Sequence, residues 1–293
     1  MTASQEIRIS SLEGNHQLLD GGAMFGNAPR ALWERWSQPD QLGRIPLACR
    51  SMLIEIGGTK LLCETGIGAY MEPSLASRYG VLEREHCLLD SLKARGLDHM
   101  DIDYVILSHL HFDHAGGLLP AYGSEKADEL LFPKARYVVG YEAWERAKKP
   151  HPRDRASFIP GLTEKLEASG RLLVLREGTL PGFDPNLLSF RFTSGHTPGH
   201  MHTLVRGAQE TILFAGDLIP GKAWVHLPIT MGYDRYAEQV IDEKSELYAE
   251  ALPEDWLLFF THDPEFAAAR LTRDAKDRYM TKGEIARLDA YAI

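Results

Sequence analysis

The chain has 293 residues, 41 acidic against 32 basic side chains, a formal charge of −9 and 44% hydrophobic residues. That length buries a core without disulfide staples, as one large domain or two small ones, and the acidic balance disfavours phosphate backbones and anionic lipid as partners. No apolar run approaches the ~20 residues of a membrane helix, and the N-terminal residues show no basic region followed by an apolar stretch, so a cytoplasmic protein is expected.

Residues 1–45 read as an N-terminal arm or lid packed on a domain formed by residues 46–293. Short β-branched and aromatic runs bounded by Gly, Pro or Asp predict strands at 51–56, 59–63, 103–108, 136–139, 171–175, 188–194, 202–206, 211–215 and 256–260. Gly57-Gly58 joins the first two as a hairpin, and a loop containing Gly207 joins 202–206 to 211–215. Helical patterns occupy 83–95, 141–149, 160–168, 236–251 and 264–270. In 236–251, Tyr236, Val240, Leu247 and Ala251 fall on one face, and Asp263-Pro264 supplies a start signal for the last helix. This interleaving fits an α/β fold of two sheets, each covered by helices on its outer face. Cys49, Cys63 and Cys87 fit neither a disulfide framework nor a Cys-rich zinc site and read as reduced, buried thiols. No repeat or linker divides the chain, which reads as a single domain.

Twelve histidines are an unusual share of the composition. HLHFDHAGG at 109–117 places His109, His111, Asp113 and His114 directly after the strand DYVILS. In extended chain, residues two apart face the same side, so His109 and His111 converge on one point. Asp113 and His114 follow where the chain turns toward a helix and address a second point. An HxHxDH string arises by chance in such a chain about three times in a thousand. His196 in SGHTPGH, Asp217 in AGDLIP and His262 in THDP each stand just past a strand, where a rigid sheet aims loop side chains. Seven imidazole and carboxylate donors without thiolate suit zinc and, on ligand type, manganese or iron.

The pattern resembles the metallo-β-lactamase superfamily, whose hallmark is HxHxDH followed by a distant His, Asp and His. The likeness spans roughly residues 45–275, and all seven positions match. The resemblance implies a four-layer αββα sandwich with a metal centre at one edge of its sheets. It implies two divalent ions, zinc or else iron, manganese or cobalt. His109, His111 and His196 would hold the first, Asp113, His114 and His262 the second, and Asp217 would bridge them. The implied chemistry is attack of a metal-bridging hydroxide on an ester carbonyl, with Asp113 and Asp217 as the catalytic carboxylates and Asp113 passing the proton to the leaving oxygen.

HLHFDHAGG together with DGGAMFG at 20–26 is similar to the branch holding N-acyl-homoserine lactonases and methyl-parathion-hydrolase-like enzymes. The implied activity is lactone opening, which for N-acyl-homoserine lactones is quorum quenching. Phosphotriester or aryl ester hydrolysis of the methyl-parathion-hydrolase type is the alternative, and a structural metal-binding protein is the non-enzymatic one. Lactonases of this group carry a Tyr three residues after the bridging Asp, where this chain has Pro220. Tyr233, a main-chain group or a metal contact then has to take the place of that phenol.

Met24, Phe25, Trp33 and Trp36 lie close together behind a Gly pair, and Trp224, His226 and Tyr233 closely follow Asp217. They read as walls of an apolar substrate pocket, with ordinary core packing as the competing reading. His200 and His202 read either as partners that orient a ligand or as buried histidines bonded to the backbone. The expected partner is a small lactone or ester, with no nucleic acid and no membrane. The N-terminal arm leaves a homodimer open.

Overall fold

Successive residues of a strand face opposite sides of a sheet, and in the central strands of this chain both sides are apolar. The computed structural model describes residues 6–126 and 128–293. Its strands are β1 (Ile7–Leu12), β2 (Gln17–Asp20), β3 (Arg44–Leu47), β4 (Ser51–Ile56), β5 (Thr59–Cys63), β6 (Tyr104–Leu107), β7 (Arg136–Gly140), β8 (Leu172–Leu175), β9 (Leu188–Thr193), β10 (His200–Arg206), β11 (Thr211–Phe214), β12 (Leu257–Phe259), β13 (Ala268–Arg273), β14 (Tyr279–Ile285) and β15 (Tyr291–Ala292). The helices are α1 (Gly21–Phe25), α2 (Arg30–Trp33), α3 (Pro73–Arg78), α4 (Cys87–Ala94), α5 (Phe112–Ala115), α6 (Tyr141–Lys148), α7 (Leu162–Ala168) and α8 (Ala237–Ala251). A seven-stranded sheet runs β15-β1-β4-β5-β6-β7-β8, a six-stranded sheet runs β14-β13-β12-β11-β10-β9, and β2 pairs with β3 alone.

Three apolar layers follow from the alternation. Ile54, Leu61, Ile106 and Val138 of the first sheet meet Met201, Ile212, Phe214 and Phe259 of the second, so the sheets pack face to face. The neighbouring residues Leu53, Leu62, Leu107 and Val139 point the other way, onto Leu88 and Leu92 of α4, Trp144 of α6 and Leu166 of α7. On the outer face of the second sheet, Leu204, Leu213 and Leu258 pack on Val240, Leu247 and Tyr248 of α8. The result is helix, sheet, sheet, helix, as expected. Tyr236 stays half exposed just ahead of α8 and does not share its buried face.

Three elements depart from the sequence reading. Residues 264–270 form no helix. The Asp263 carboxylate accepts the Glu265 and Phe266 N–H groups in a turn, and the chain then runs into β13 between β12 and β14. Start-signal chemistry at Asp263 is real, but the pairing edge offered by β12 outweighs the helix propensity of the alanines. Residues 6–45, the described part of the expected arm, do not form one overlay either. Ile7, Ile9 and Leu12 of β1 are buried within the first sheet, while β2, β3, α1 and α2 make the covering segment. Cys49 and Cys63 are buried free thiols, whereas Cys87 is half-buried at the start of α4. Among the described residues no helix is long and apolar enough to cross a membrane.

Candidate metal centre and its cavity

The motif histidines sit where the buried parallel strand β6 gives way to α5. Past β6 the chain bends at Ser108, Leu110 enters the outer core, and the rings of His109 and His111 come to lie 4.3 Å apart. His111 then stands at the N-cap of α5, whose first turn carries Asp113 and whose last carries His114. The remaining donors come from the second sheet: His196 follows β9, Asp217 follows β11 and His262 follows β12.

Each of those loops is clamped. The Ser194 and Gly195 N–H groups donate to the Glu243 carboxylate of α8, and the Arg235 N–H donates to the His196 carbonyl. The buried Arg50 guanidinium donates to the carbonyls of Phe260, Asp263 and Phe266, fastening the turn around His262. The His262 N–H donates to the Pro220 carbonyl at 2.8 Å, so Pro220 holds this turn through its backbone.

Besides a group of Glu64, His109 and His114, two donor groups result among the described residues. The ligand atoms of His109, His111 and His196 lie within 4.8 Å of one another, and so do those of Asp113, His114 and His262. Asp217 stands between them. Its Oδ2 is 3.3 Å from His196 Nε2, and its Oδ1 is 3.3 Å from His114 Nε2 and 3.2 Å from His262 Nε2. One carboxylate therefore offers one oxygen to each group.

On four of the five imidazoles Nδ1 is occupied. His109 Nδ1 bonds Ser108 Oγ at 2.9 Å, His114 Nδ1 bonds the Glu64 carboxylate, His196 Nδ1 bonds Asp234 Oδ1 at 2.9 Å, and His262 Nδ1 bonds the Ala48 carbonyl at 2.7 Å. By contrast, Nε2 of His109, His111 and His196 are buried and make no hydrogen bond among the described residues. Imidazoles fixed through Nδ1 with bare Nε2 atoms converging on a carboxylate are the arrangement that metal-binding histidines adopt.

Electrostatics agree. Burial and the surrounding imidazoles hold His109 and His111 well below the usual histidine range, in the neutral form that ligates. Burial opposes protonation of His114 too, but the carboxylates of Glu64, Asp217 and Asp113 outweigh it and hold that ring well above the usual range. Asp217 resists its own burial because His114, His262 and His196 keep it well below the carboxylate range. The field at this point favours positive charge, and seven N and O donors in two groups fit a pair of divalent cations.

A cavity of about 390 Å³ opens over Asp113, Asp217 and His262, with an apolar wall of Leu19, Met24, Leu47, Phe112 and Met231. Tyr79, Arg153, Asp154, Ser157 and Tyr233 supply its polar groups. Of the expected wall residues, Met24 and Tyr233 are in place. Phe25, Trp33 and Trp224 are not, because they form a buried stack in which Phe25 lies 5.6 Å from Trp33 and 4.6 Å from Trp224, both nearly parallel. Trp36 and His226 stack on each other at 5.1 Å and, together with Phe25 and Trp224, border a separate cavity of about 640 Å³. The buried stack fastens the covering segment to the domain, and Met24, its neighbour on α1, reaches the site.

His200 and His202 bond to the backbone around Asp217. His202 Nδ1 donates to the Ala215 carbonyl at 2.9 Å, and His200 Nε2 accepts the Asp217 N–H at 3.3 Å. Sequence reasoning missed Glu64 and Asp234, which hold His114 and His196. Glu64, an acid immediately after β5, carried the available signal, whereas Asp234 carried none.

The fold and the donor geometry are matched by known proteins. The model for the metallo-beta-lactamase superfamily covers residues 44–262, most of the sequence. The chain belongs to the metallo-beta-lactamase superfamily. N-acyl homoserine lactonase AttM of Rhizobium radiobacter is 32% identical over 130 residues, which span 43% of this chain and 44% of that protein. An N-acyl homoserine lactonase of a Bacillus species is 25% identical over 241 residues, covering 78% of this chain and 85% of its own. A crystal structure described as a probable metal-dependent hydrolase from Staphylococcus aureus matches with a TM-score of 0.86 at 26% identity, over 98% of this chain and 99% of that one.

Proposed function

We propose that this superfamily member is a dinuclear metal hydrolase that opens the ring ester of lactones, N-acyl homoserine lactones among them. The carrying observation is Asp217, whose two oxygens face two separate donor groups beneath a largely apolar cavity. Relatives that are named N-acyl homoserine lactonases support the substrate class.

In this reading His109, His111 and His196 would hold one divalent ion and Asp113, His114 and His262 the other, with Asp217 offering one carboxylate oxygen to each. Bound ions supply the Lewis acidity that makes water a nucleophile at neutral pH and polarises a carbonyl. The protein supplies the rest. Asp113, its side chain 14% exposed at the cavity floor, takes a proton from the attacking water and returns it to the alkoxide released from the ring. Tyr233, bordering the cavity, donates to the carbonyl oxygen in the role that Pro220 cannot fill. Burial and the nearby Asp113 push its phenol up, so it stays protonated and able to donate. Met24, Leu47 and Met231 receive the acyl chain and exclude water.

The test is a hydrolysis panel of lactones, aryl esters, phosphotriesters and thioesters on metal-loaded protein, with metal analysis of the same sample. A lactone preference of about tenfold or more and two ions per chain are expected, and Asp217→Asn should lose both metal and turnover. Full activity in a verified metal-poor Asp217→Asn protein overturns the mechanism. A tenfold preference for phosphotriesters overturns the substrate class.

A further inference from the structure

Outside the donor cluster, one buried polar group of the cavity has incomplete bonding. Asp154 follows α6 and lines the cavity, its side chain 6% exposed. Arg146, in the last turn of α6, donates from Nε at 2.9 Å and Nη2 at 2.6 Å, and both bonds fall on Oδ2. Oδ1 is shielded from bulk water and meets no donor among the described residues. Asp154 also occupies the N-cap position of the 3₁₀ turn Arg155–Ser157, where a carboxylate ordinarily takes a backbone N–H, yet its side chain makes no capping bond. Buried acceptors in folded proteins are paired with few exceptions, and each exception asks what supplies the missing donor.

The segment carrying Asp154 is fastened on both sides of the cavity mouth. Phe158 pairs its backbone with His111 and sets its ring 4.9 Å from that imidazole. Arg153 donates to the Gly232 carbonyl at 2.8 Å, joining this segment to the loop that bears Met231 and Tyr233. Asp154 is thus held in place beside the donor cluster, with Arg146 fixing one oxygen and leaving the other.

We propose that Asp154 is a specificity residue whose Oδ1 accepts a hydrogen bond from an N–H carried by the substrate next to its scissile ester. The assignment rests on the lactonase reading, within which the donor is the amide N–H borne by the lactone ring. A charge-assisted bond shielded from water is worth about 10- to 100-fold in kcat/KM, and a site built around such a bond rejects the analogue lacking the donor.

The experiment measures kcat/KM on metal-loaded wild-type and Asp154→Asn protein for two lactones. One carries an acyl amide on the ring, and the other carries the same acyl group through an ester oxygen in place of the N–H. Rates are normalised to the alkaline hydrolysis of each lactone. Wild type should favour the amide by about tenfold or more. In Asp154→Asn the preference should vanish, because the carboxamide turns its oxygen to Arg146 and its NH₂ to the cavity. Equal normalised rates in wild type, or a preference that survives in Asp154→Asn, overturn the assignment and leave the lactonase reading intact. Turnover of neither lactone by wild type overturns both. The wild-type ratio needs no variant, so misfolding of Asp154→Asn does not remove the test.

Discussion

An imidazole binds a metal well only when its ring is aimed and its tautomer set, and in this protein side chains outside the donor set do both. Asp234 illustrates it: Oδ1 bonds His196 Nδ1 at 2.9 Å, while Oδ2 accepts the Met231 N–H at 2.7 Å. The same carboxylate thereby ties the orientation of the His196 ring to the loop that walls the cavity. Replacing Asp234 by Ala should weaken metal binding by about 10- to 100-fold, read by competition with a chromophoric chelator. Unchanged affinity would mean that the loop backbone alone aims His196. Glu64 makes a related contribution under strain. Its backbone is left-handed, at φ 68°, a conformation that costs a residue with a side chain about 1–3 kcal/mol. That conformation accompanies bonds from its carboxylate to both the Ser108 N–H and His114 Nδ1. Gly216 answers a different need. At φ 50°, a Cβ there would lie 2.6 Å from His200 Nε2, the atom that accepts the Asp217 N–H.

Among the elements, α8 does more than cover a sheet. Lys244 points inward from it, fully buried, and donates to the carbonyls of His226, Leu227 and Ile229 at 2.9, 3.2 and 3.0 Å. Those carbonyls belong to the stretch leading to Met231 and Tyr233, so one amine holds the path of a cavity wall. Burial pushes Lys244 down to about 7 from its ordinary 10.5. Its folded pKa is depressed, so between pH 7 and 10.5 the unfolded chain binds more protons than the native one, and this group makes stability rise with pH across that window. Relative to Lys244→Met, wild type should gain about 1.4 kcal/mol per pH unit between pH 7.5 and 9.5, measured by urea unfolding of both proteins. Parallel pH curves would show that Lys244 titrates normally. Helix α8 was legible because Val240, Leu247 and Ala251 recur at helical spacing. The polar position Lys244 carried no sign of burial, since the carbonyls it satisfies lie 15 to 18 residues away in the chain.

At the scale of the molecule, the donor cluster lies between the two sheets. His109, His111, Asp113 and His114 are delivered by the first sheet, and His196, Asp217 and His262 by the second. Ions held there would act as cross-links between halves that otherwise meet through apolar side chains, and would offset the formal charge of −9 to −5 (−9 + 4). Chelation should therefore lower the Tm by at least about 5 °C, with recovery on adding zinc, as followed by calorimetry. A Tm indifferent to chelation would mean that the apolar interface alone holds the sheets together.

The sequence by itself determined the candidate donor set and the four-layer arrangement. An HxHxDH string is local, each single donor follows a recognisable strand, and strands buried on both faces show unbroken apolar runs. Tertiary structure alone decided what surrounds those donors. The buried stack of Phe25 with Trp33 and Trp224, β1 within the first sheet, β13 in place of a helix, Asp234 behind His196 and the half-used carboxylate of Asp154 all depend on partners distant in the chain. Spacing along a sequence tells which residues can converge on a point. Which side chains form the walls and which form the core depends on packing between segments, and adjacent residues such as Met24 and Phe25 are sent to different fates by it.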